Sequence, residues 1–180
     1  MNGTKLAGGP TQDEIMAVSL FKLGLLSTDT VLEIGCGTGK VSVAMAKTAR
    51  KVYSLDKRSE AVSLATESSR NAGVHNIDFF CTDAIEFLTN DQEFDCAFLG
   101  GTQALAEILP VLAQKVKRTI VINAVMVSTL EIAVTTLKEL GIFTEVVQVQ
   151  VSRSYDIAGS IMFRPINPVY IIVARGAPCS

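Results

Sequence analysis

The sequence predicts an α/β fold: a mostly parallel seven-stranded sheet with helices on both faces and an antiparallel last strand. Apolar segments of strand length alternate with helical segments along most of the chain, which is typical of parallel sheets with crossover helices. A buried strand at 31–34 runs directly into a glycine loop and a helix. The last two strands have no helix between them, which makes the final strand antiparallel to its predecessor.

Length and composition suit one domain spanning residues 1–180. Hydrophobic residues make up 48% of the chain and charged residues 19%, which is enough for a sizeable core and too apolar for disorder. The mean hydropathy of +0.36 would be explained by a fully buried parallel sheet together with a buried subunit interface. We expect residues 1–10 to form a loose start and residues 175–180 a frayed tail.

Charge and cysteine content argue against several classes of protein. A net charge of −2 disfavours nucleic-acid binding, which requires a basic surface. The cysteines have no C-x-x-C spacing and His75 is the only histidine, so no metal site is predicted, and His75 is interpreted as a solvated turn residue. No apolar run reaches the roughly 18 residues needed to span a bilayer, and no signal peptide is recognised. We therefore expect no membrane contact and a cytoplasmic location.

The individual elements follow from local patterns. Thr11 followed by Glu14 resembles a capping box, so the first helix is expected at 11–24. Further helices are expected where apolar residues recur at helical spacing, and strands where β-rich runs are bounded by turn residues. The predicted strands lie at 31–34, 51–56, 77–81, 94–99, 118–124, 143–151 and 168–174, and the later helices at 39–48, 59–72, 84–88, 105–116 and 128–140. A long polar loop is expected to begin at Ser152.

The glycine loop at residues 33–39 has the form E-x-G-x-G-x-G. It differs from the dinucleotide fingerprint G-x-G-x-x-G because Lys40 stands where that motif has glycine or alanine, and it lacks the ending of a phosphate-binding P-loop. The form resembles motif I of the class I S-adenosylmethionine-dependent methyltransferases. Glu33 would then lie beneath the loop and attract the cationic part of S-adenosylmethionine. The alternative is a tight strand-to-helix turn without a ligand.

The next two strand segments each lead to an acidic residue: Asp56 ends the first, and Asp83 lies in the turn after the second. Asp56 is expected to accept both ribose hydroxyls of the cofactor, because the carboxyl ends of neighbouring parallel strands face one crevice. Lys57 beside it is included in the predicted cofactor site. Asp83 is expected to receive the adenine amino group, while the Ala84 N–H meets a ring nitrogen. For both acids the alternative is the N-cap of the following helix.

The strand at 94–99 ends in Gly100-Gly101, beside the place expected for the transferable methyl group. Methyltransferases that act on amino groups often carry [DN]-P-P-[YF] here, which holds a planar nitrogen. Bare glycine backbone leaves space that suits a bulkier acceptor. Gly100 is therefore assigned to the cofactor site and Gly101 to the substrate site, the alternative being a flexible turn.

A closer resemblance covers residues 8–173. The opening G-G-P-T-x-x-E-I from residue 8, the Gly100-Gly101 turn and the closing stretch at 153–169, with G-S-I-M and R-x-x-N-P-V, resemble the precorrin methyltransferases of cobalamin biosynthesis. The resemblance implies methylation of carbon-15 of (cobalt-)precorrin-6B and decarboxylation of its acetate side chain. It also implies a homotetramer with the segment before the last strand at an interface. The residues that it implies contact S-adenosylmethionine are Thr11, Gly35, Cys36, Gly37, Thr38, Gly39, Asp56 and Ala84.

The chemistry implied for this family needs few reactive side chains. Methyl transfer from a sulfonium is an in-line displacement that depends on positioning, and the conjugated macrocycle can act as the electron sink for decarboxylation. We therefore single out no catalytic residue. A tetrapyrrole acceptor is rich in carboxylates, which arginine pairs with in a fork, so Arg153, Arg164 and Lys5 are candidate substrate-binding residues. The alternative for each is an ordinary surface charge.

Three other functions remain open at this point. One is a methyltransferase that acts on tRNA or protein, although the net charge of −2 disfavours the tRNA enzyme. Another is a binding or scaffold protein that keeps the fold without catalysis, which the intact Glu33, glycine loop and Asp56 disfavour. The last is a nicotinamide-dependent reductase, which Lys40 disfavours.

Overall fold

The computed structural model describes Gly9 and residues 11–176 of the chain. The helices are α1 (Asp13–Leu23), α2 (Lys40–Ala46), α3 (Ser59–Asn71), α4 (Ala84–Phe87), α5 (Leu105–Lys115) and α6 (Val127–Glu139). The strands are β1 (Thr30–Ile34), β2 (Lys51–Asp56), β3 (Ile77–Cys81), β4 (Phe94–Leu99), β5 (Val116–Ala124), β6 (Phe143–Val149), β7 (Ser152–Ile157), β8 (Ser160–Pro165) and β9 (Val169–Arg175). The predicted tail beyond residue 176, Lys5 and most of the predicted loose start lie outside the described residues.

Seven strands form one sheet in the order β3-β2-β1-β4-β5-β9-β6. The strands β1 to β5 pair in parallel, and β9 pairs antiparallel with both β5 and β6. The predicted seven-stranded sheet with an antiparallel last strand is confirmed. Because β1 to β4 are parallel neighbours, their carboxyl ends and the turns that follow them share one edge of the sheet.

Apolar side chains cover both faces of the sheet. One cluster packs α4, α5 and α6 on one face, around residues such as Leu109 and Leu137. The other cluster packs α1 and α2 on the opposite face, around Ile15 and Met45. Every residue of the central strand β1 is buried, which is the pattern expected of a strand covered on both sides. No helix in the described part of the chain is long and apolar enough to cross a membrane.

The polar segment from Ser152 is a β-hairpin and not the predicted loop. β7 and β8 pair antiparallel along their whole length as a separate two-stranded sheet. Their connection is the two-residue turn Ala158-Gly159, in which both residues have positive φ (49° and 79°). Such turns match the twist of the flanking strands and are typical of tight hairpins. Both strands are largely exposed, so the expectation of a loop based on polarity was wrong.

Some element ends also differ from prediction. α1 begins at Asp13 with Gln12 as its N-cap, and no side chain caps it. The predicted capping box was wrong because Glu14 forms an ion pair with Arg153 at 2.7 Å instead of returning to the backbone at Thr11. α2 ends at Ala46, two residues early, and the carbonyl of Met45 accepts from the N–H groups that follow. His75 is exposed in the turn before β3, as predicted.

Candidate active site at the carboxyl edge of the sheet

A cavity of about 700 Å³ opens at the carboxyl edge of the sheet. Its walls come from the ends of β1 and β2, the turn after β3, and the segment between β4 and α5. The lining residues are Ile34, Gly35, Leu55, Asp56, Lys57, Arg58, Thr82, Asp83, Ala84, Gly101, Thr102, Gln103, Ala104 and Ile108. Its size suits a nucleoside-bearing cofactor, since small-molecule sites usually measure about 300–1,000 Å³.

The glycine loop closes one side of the cavity and requires glycine at two positions. Gly35 has a φ of +87°, and a Cβ there would lie 2.8 Å from the Cα of Gly101. Gly39 has a φ of +77°, and a Cβ there would lie 2.7 Å from the Cα of Ala65 in α3. Positive φ is inexpensive only for glycine, and real Cβ atoms are not found this close to a backbone atom. The loop therefore packs tightly against both the β4 turn and α3.

Backbone hydrogen bonds fix this loop to the neighbouring strand ends. The N–H groups of Gly35 and Cys36 donate to the carbonyl of Leu55 at 2.8 and 2.9 Å. The N–H groups of Gly100 and Gly101 both donate to the carbonyl of Ile34 at 2.9 Å. The turns after β1 and β4 are thereby joined to each other and to β2, which gives the cavity a rigid floor.

Asp56 is nearly buried at the end of β2 and is held by four donors. Its Oδ1 accepts from the backbone N–H of Arg58 at 3.1 Å and from Arg58 Nε at 2.9 Å. Its Oδ2 accepts from the Gly37 N–H at 3.0 Å and from Arg58 Nη2 at 2.9 Å. Burial alone would raise the pKa of Asp56, but the bonds and charge supplied by Arg58 and the Gly37 N–H outweigh it and lower the pKa. Asp56 is therefore an ionised carboxylate at the cavity wall.

Asp83 is the N-cap of α4. Its Oδ1 accepts from the Ile85 N–H at 2.7 Å, and its Oδ2 forms an ion pair with Lys57 at 2.5 Å. The hydrogen bond from Lys57 lowers the pKa of Asp83. The capping alternative is thus confirmed for Asp83, and its contact with an adenine amino group stays a prediction. Lys57, Asp83 and Ala84 all line the cavity.

Glu33 lies beneath the loop and does not line the cavity. It is 1% exposed, and its Oε2 accepts from the hydroxyl of Ser42 in α2 and from that of Ser54 in β2 at 2.5 Å. Burial, opposed in part by these two hydroxyls, raises the pKa of Glu33 to about 7. The buried carboxyl ties β1, α2 and β2 together under the loop, and its attraction for the cofactor stays a prediction.

Other predicted site residues lie around the cavity without lining it. Cys36 is buried, and burial raises the pKa of its thiol to about 12, so it is an inert packing residue. Thr38 lines a separate shallow hollow beside α2. The carbonyl of Thr11 accepts from Lys40 Nζ at 2.9 Å, and Lys40 also pairs with Asp13 at 2.8 Å. Lys40 therefore holds the segment before α1 against the start of α2.

The predicted substrate-binding arginines lie on the hairpin, outside the cavity. Arg153 in β7 and Arg164 in β8 are directly opposite each other in the strand register. Arg153 pairs with Glu14, and the guanidinium of Arg164 lies 4.8 Å from the centre of the Tyr155 ring. Sequence reasoning missed Arg58, Thr82, Ile108 and the wall at residues 102–104. Proximity to Asp56 in the chain was the one available indication for Arg58.

The chain is similar to known proteins over nearly its whole length. A family model described as a precorrin methyltransferase domain matches residues 5–175. A Methanosarcina mazei protein named probable cobalt-precorrin-6B C(15)-methyltransferase (decarboxylating) is 46% identical over 176 residues, covering 94% of this chain and 95% of that protein.

Two solved structures are similar over most of the chain. One is a precorrin 8W decarboxylase from Methanobacterium thermoautotrophicum, with a TM-score of 0.89, 28% identity, and coverage of 92% of this chain and 91% of that one. The other is a precorrin-6Y C5,15-methyltransferase from Geobacter metallireducens, with a TM-score of 0.88, 28% identity, and coverage of 96% and 94%. With its class I methyltransferase fold and a glycine-loop cavity at the carboxyl edge, this chain belongs to the precorrin methyltransferase family.

Proposed function

We propose that this protein uses S-adenosylmethionine to methylate carbon-15 of (cobalt-)precorrin-6B and decarboxylates the acetate at carbon-12. The observation that carries the proposal is the cavity between the glycine loop and the Gly101 turn, in a chain 46% identical to a relative named for this reaction. The alternatives from the sequence, an enzyme acting on tRNA or protein, gain no specific support from the site.

The cavity suits S-adenosylmethionine in both shape and charge. Gly35 leaves no room for a Cβ, and a Cβ at Gly101 would lie 3.3 Å from the Gly35 Cα, so the ligand meets bare backbone at both positions. Asp56 is an ionised carboxylate in the cavity wall, and Ala84 lines the cavity in the turn after β3; the proposal assigns the ribose to the first and the adenine to the second. When bound, the cofactor supplies an electrophilic methyl group on a sulfonium.

The chain's own contribution to methyl transfer is to position the reactants and exclude water. The N–H groups of Gly100 and Gly101 already donate to the Ile34 carbonyl, so the turn offers a fixed surface and not a pair of free hydrogen-bond donors. An electron-rich tetrapyrrole carbon needs no base to attack a sulfonium methyl in line. Loss of carbon dioxide leaves an electron pair that the conjugated macrocycle can take up.

The acceptor side of the site is expected at the hairpin. β6 ends at Val149 and β9 begins opposite it at Val169, so the hairpin projects from the same edge of the sheet as the cavity. Arg153, Arg164 and Tyr155 share one face of that hairpin. We infer that this face binds acceptor carboxylates, and that Arg153 exchanges Glu14 for a substrate carboxylate when the acceptor binds.

A homotetramer in the cytoplasm, built from single-domain chains, completes the proposal. The hairpin face opposite the arginines carries Ile161 and Phe163, which are 69% and 67% exposed. Large exposed apolar side chains on a projecting hairpin are typical of a subunit interface. Sedimentation of the purified protein tests this: a tetramer that Phe163→Glu dissociates supports it, and a monomeric wild type refutes it.

The central experiment is a calorimetric titration with S-adenosylhomocysteine, with NAD as the control ligand, followed by addition of precorrin-6B and mass analysis. Binding together with gain of one methyl and loss of carbon dioxide supports the full proposal. Binding without a change in precorrin-6B keeps the cofactor and redirects the search to tRNA or protein acceptors. Failure to bind S-adenosylhomocysteine refutes the methyltransferase assignment.

A matched pair of variants tests the hairpin. Arg153→Gln should lower kcat/KM for the acceptor about tenfold or more, since a charge-assisted contact contributes about 1.5–3 kcal/mol, while the Kd for S-adenosylhomocysteine stays unchanged. Arg175→Gln removes an exposed arginine at the opposite edge of the sheet and should leave both values unchanged. If the Arg153 variant has a normal kcat/KM for the acceptor, the assignment of the hairpin to the acceptor site is refuted.

A further inference from the structure

The carboxylate of Asp56 has no unused acceptor position. A carboxylate offers about four lone-pair sites on its two oxygens. The Arg58 N–H and Arg58 Nε fill those of Oδ1, and the Gly37 N–H and Arg58 Nη2 fill those of Oδ2. The two hydroxyls of a ribose therefore cannot be accommodated in this arrangement unless two existing donors leave.

The guanidinium of Arg58 is the donor group that can leave. The other two donors are backbone N–H groups, and that of Gly37 belongs to the glycine loop, which is fixed by its backbone bonds to the Leu55 carbonyl. The Arg58 side chain is 43% exposed, whereas that of Asp56 is only 4% exposed. Arg58 can therefore move toward solvent and regain hydration, while Asp56 stays at the wall with its two backbone bonds.

We propose that Arg58 is a positioning residue: it fixes the orientation of the Asp56 carboxylate, and it competes with the cofactor ribose for that carboxylate. The guanidinium donates one hydrogen bond to each carboxylate oxygen, and a vicinal diol can replace it bond for bond. Exchange of the guanidinium for the diol then accompanies cofactor binding and lowers the affinity for it. This inference depends on the proposed cofactor site, because it concerns the ribose of that cofactor.

The test is calorimetric titration of the full-length protein with S-adenosylhomocysteine at pH 7.5. S-adenosylhomocysteine has no net charge, so the loss of a cation changes its affinity little through long-range attraction. Arg58→Ala should bind it about threefold to tenfold more tightly than the wild type. The reason is that the guanidinium, whose ion pair with Asp56 is modest in strength, no longer competes with the ligand for that carboxylate. Arg58→Lys, whose ammonium cannot bridge both oxygens, should lie between the two and serves if the alanine variant does not fold.

Lys51→Ala is the matched control. Lys51 also pairs with an aspartate, Asp78, at 2.6 Å, but it lies at the opposite end of β2 from Asp56. Its removal should leave the Kd for S-adenosylhomocysteine unchanged. A change of the same size in the Lys51 variant would mean that loss of charge alone explains the effect, and the proposal would fail.

A pH profile shows whether Arg58 acts through Asp56. Arg58 keeps the Asp56 carboxylate ionised, so without it the affinity for S-adenosylhomocysteine should fall at a higher pH on acidification than in the wild type. Unchanged or weaker binding by both Arg58 variants at pH 7.5 overturns the proposal. A wild type that does not bind S-adenosylhomocysteine refutes the cofactor site itself, which is a distinguishable result.

Discussion

Glu33 makes the stability of this protein depend on pH in an unusual direction. Its pKa rises from 4.5 to about 7 because the carboxyl is buried, and the hydrogen bonds from the hydroxyls of Ser42 and Ser54 offset this only in part. Below pH 4.5 the carboxyl is protonated in both the folded and the unfolded chain, so burying it costs little free energy. Between pH 4.5 and 7 the unfolded chain ionises while the folded chain holds its proton, so stability falls as pH rises. A shift of about 2.5 units corresponds to a loss of roughly 3 kcal/mol.

The test is urea unfolding of the wild type and Glu33→Gln between pH 4 and pH 8. From pH 4 to pH 8 the wild type should lose roughly 3 kcal/mol of unfolding free energy relative to Glu33→Gln. The reason is that glutamine fills the same site without titrating. Glu67→Gln, the same substitution at an exposed position of α3, should give a curve parallel to the wild type. The reasoning is refuted if the unfolding free energy of the wild type relative to Glu33→Gln stays constant or increases with pH. Either result would show that the buried carboxyl is ionised in the folded protein.

The other predictions concern the loop and the far edge of the sheet. Gly35→Ala should abolish S-adenosylhomocysteine binding and destabilise the fold by about 2 kcal/mol or more, because its Cβ would overlap the backbone of Gly101. Gly73→Ala, also at positive φ but with nothing within 4 Å, should bind normally in the same titration. Arg118→Met leaves buried Asp29 without its guanidinium partner, so urea unfolding should show a loss of about 2–4 kcal/mol with cofactor affinity retained; unchanged stability would contradict this.

The sequence was sufficient for the mostly parallel sheet with its antiparallel last strand and for part of the cavity. Four predicted residues line one cavity because each lies at or shortly after the end of a parallel strand, and parallel strands bring their carboxyl ends to one edge of the sheet. These residues are Gly35, Asp56, Ala84 and Gly101. These placements depend on chain spacing together with the resemblance to class I methyltransferases. They required no knowledge of side-chain rotamers or of distant contacts.

The remaining features depend on competition between partners that a sequence pattern does not rank. Glu14 could bond the backbone before α1 or an arginine 139 positions away, and the structure selects Arg153. Asp83 could cap α4 or contact a ligand, and it caps the helix while pairing with Lys57. The hairpin was missed because its residues are polar, although the turn Ala158-Gly159 indicated a reversal.

The two halves of the proposed site differ in how they are supported. The cofactor half is built on the sheet edge, where backbone bonds from Gly35 and Gly101 fix the loops in place. The acceptor half depends on a hairpin that pairs with no strand of the main sheet and that sets Arg153 directly opposite Arg164. Like charges facing each other across a strand pair are destabilising unless anions lie between them or beside them. Glu14 supplies one such anion, and a carboxylate-rich acceptor would supply more, so acceptor binding should order the hairpin while leaving the cofactor half unchanged.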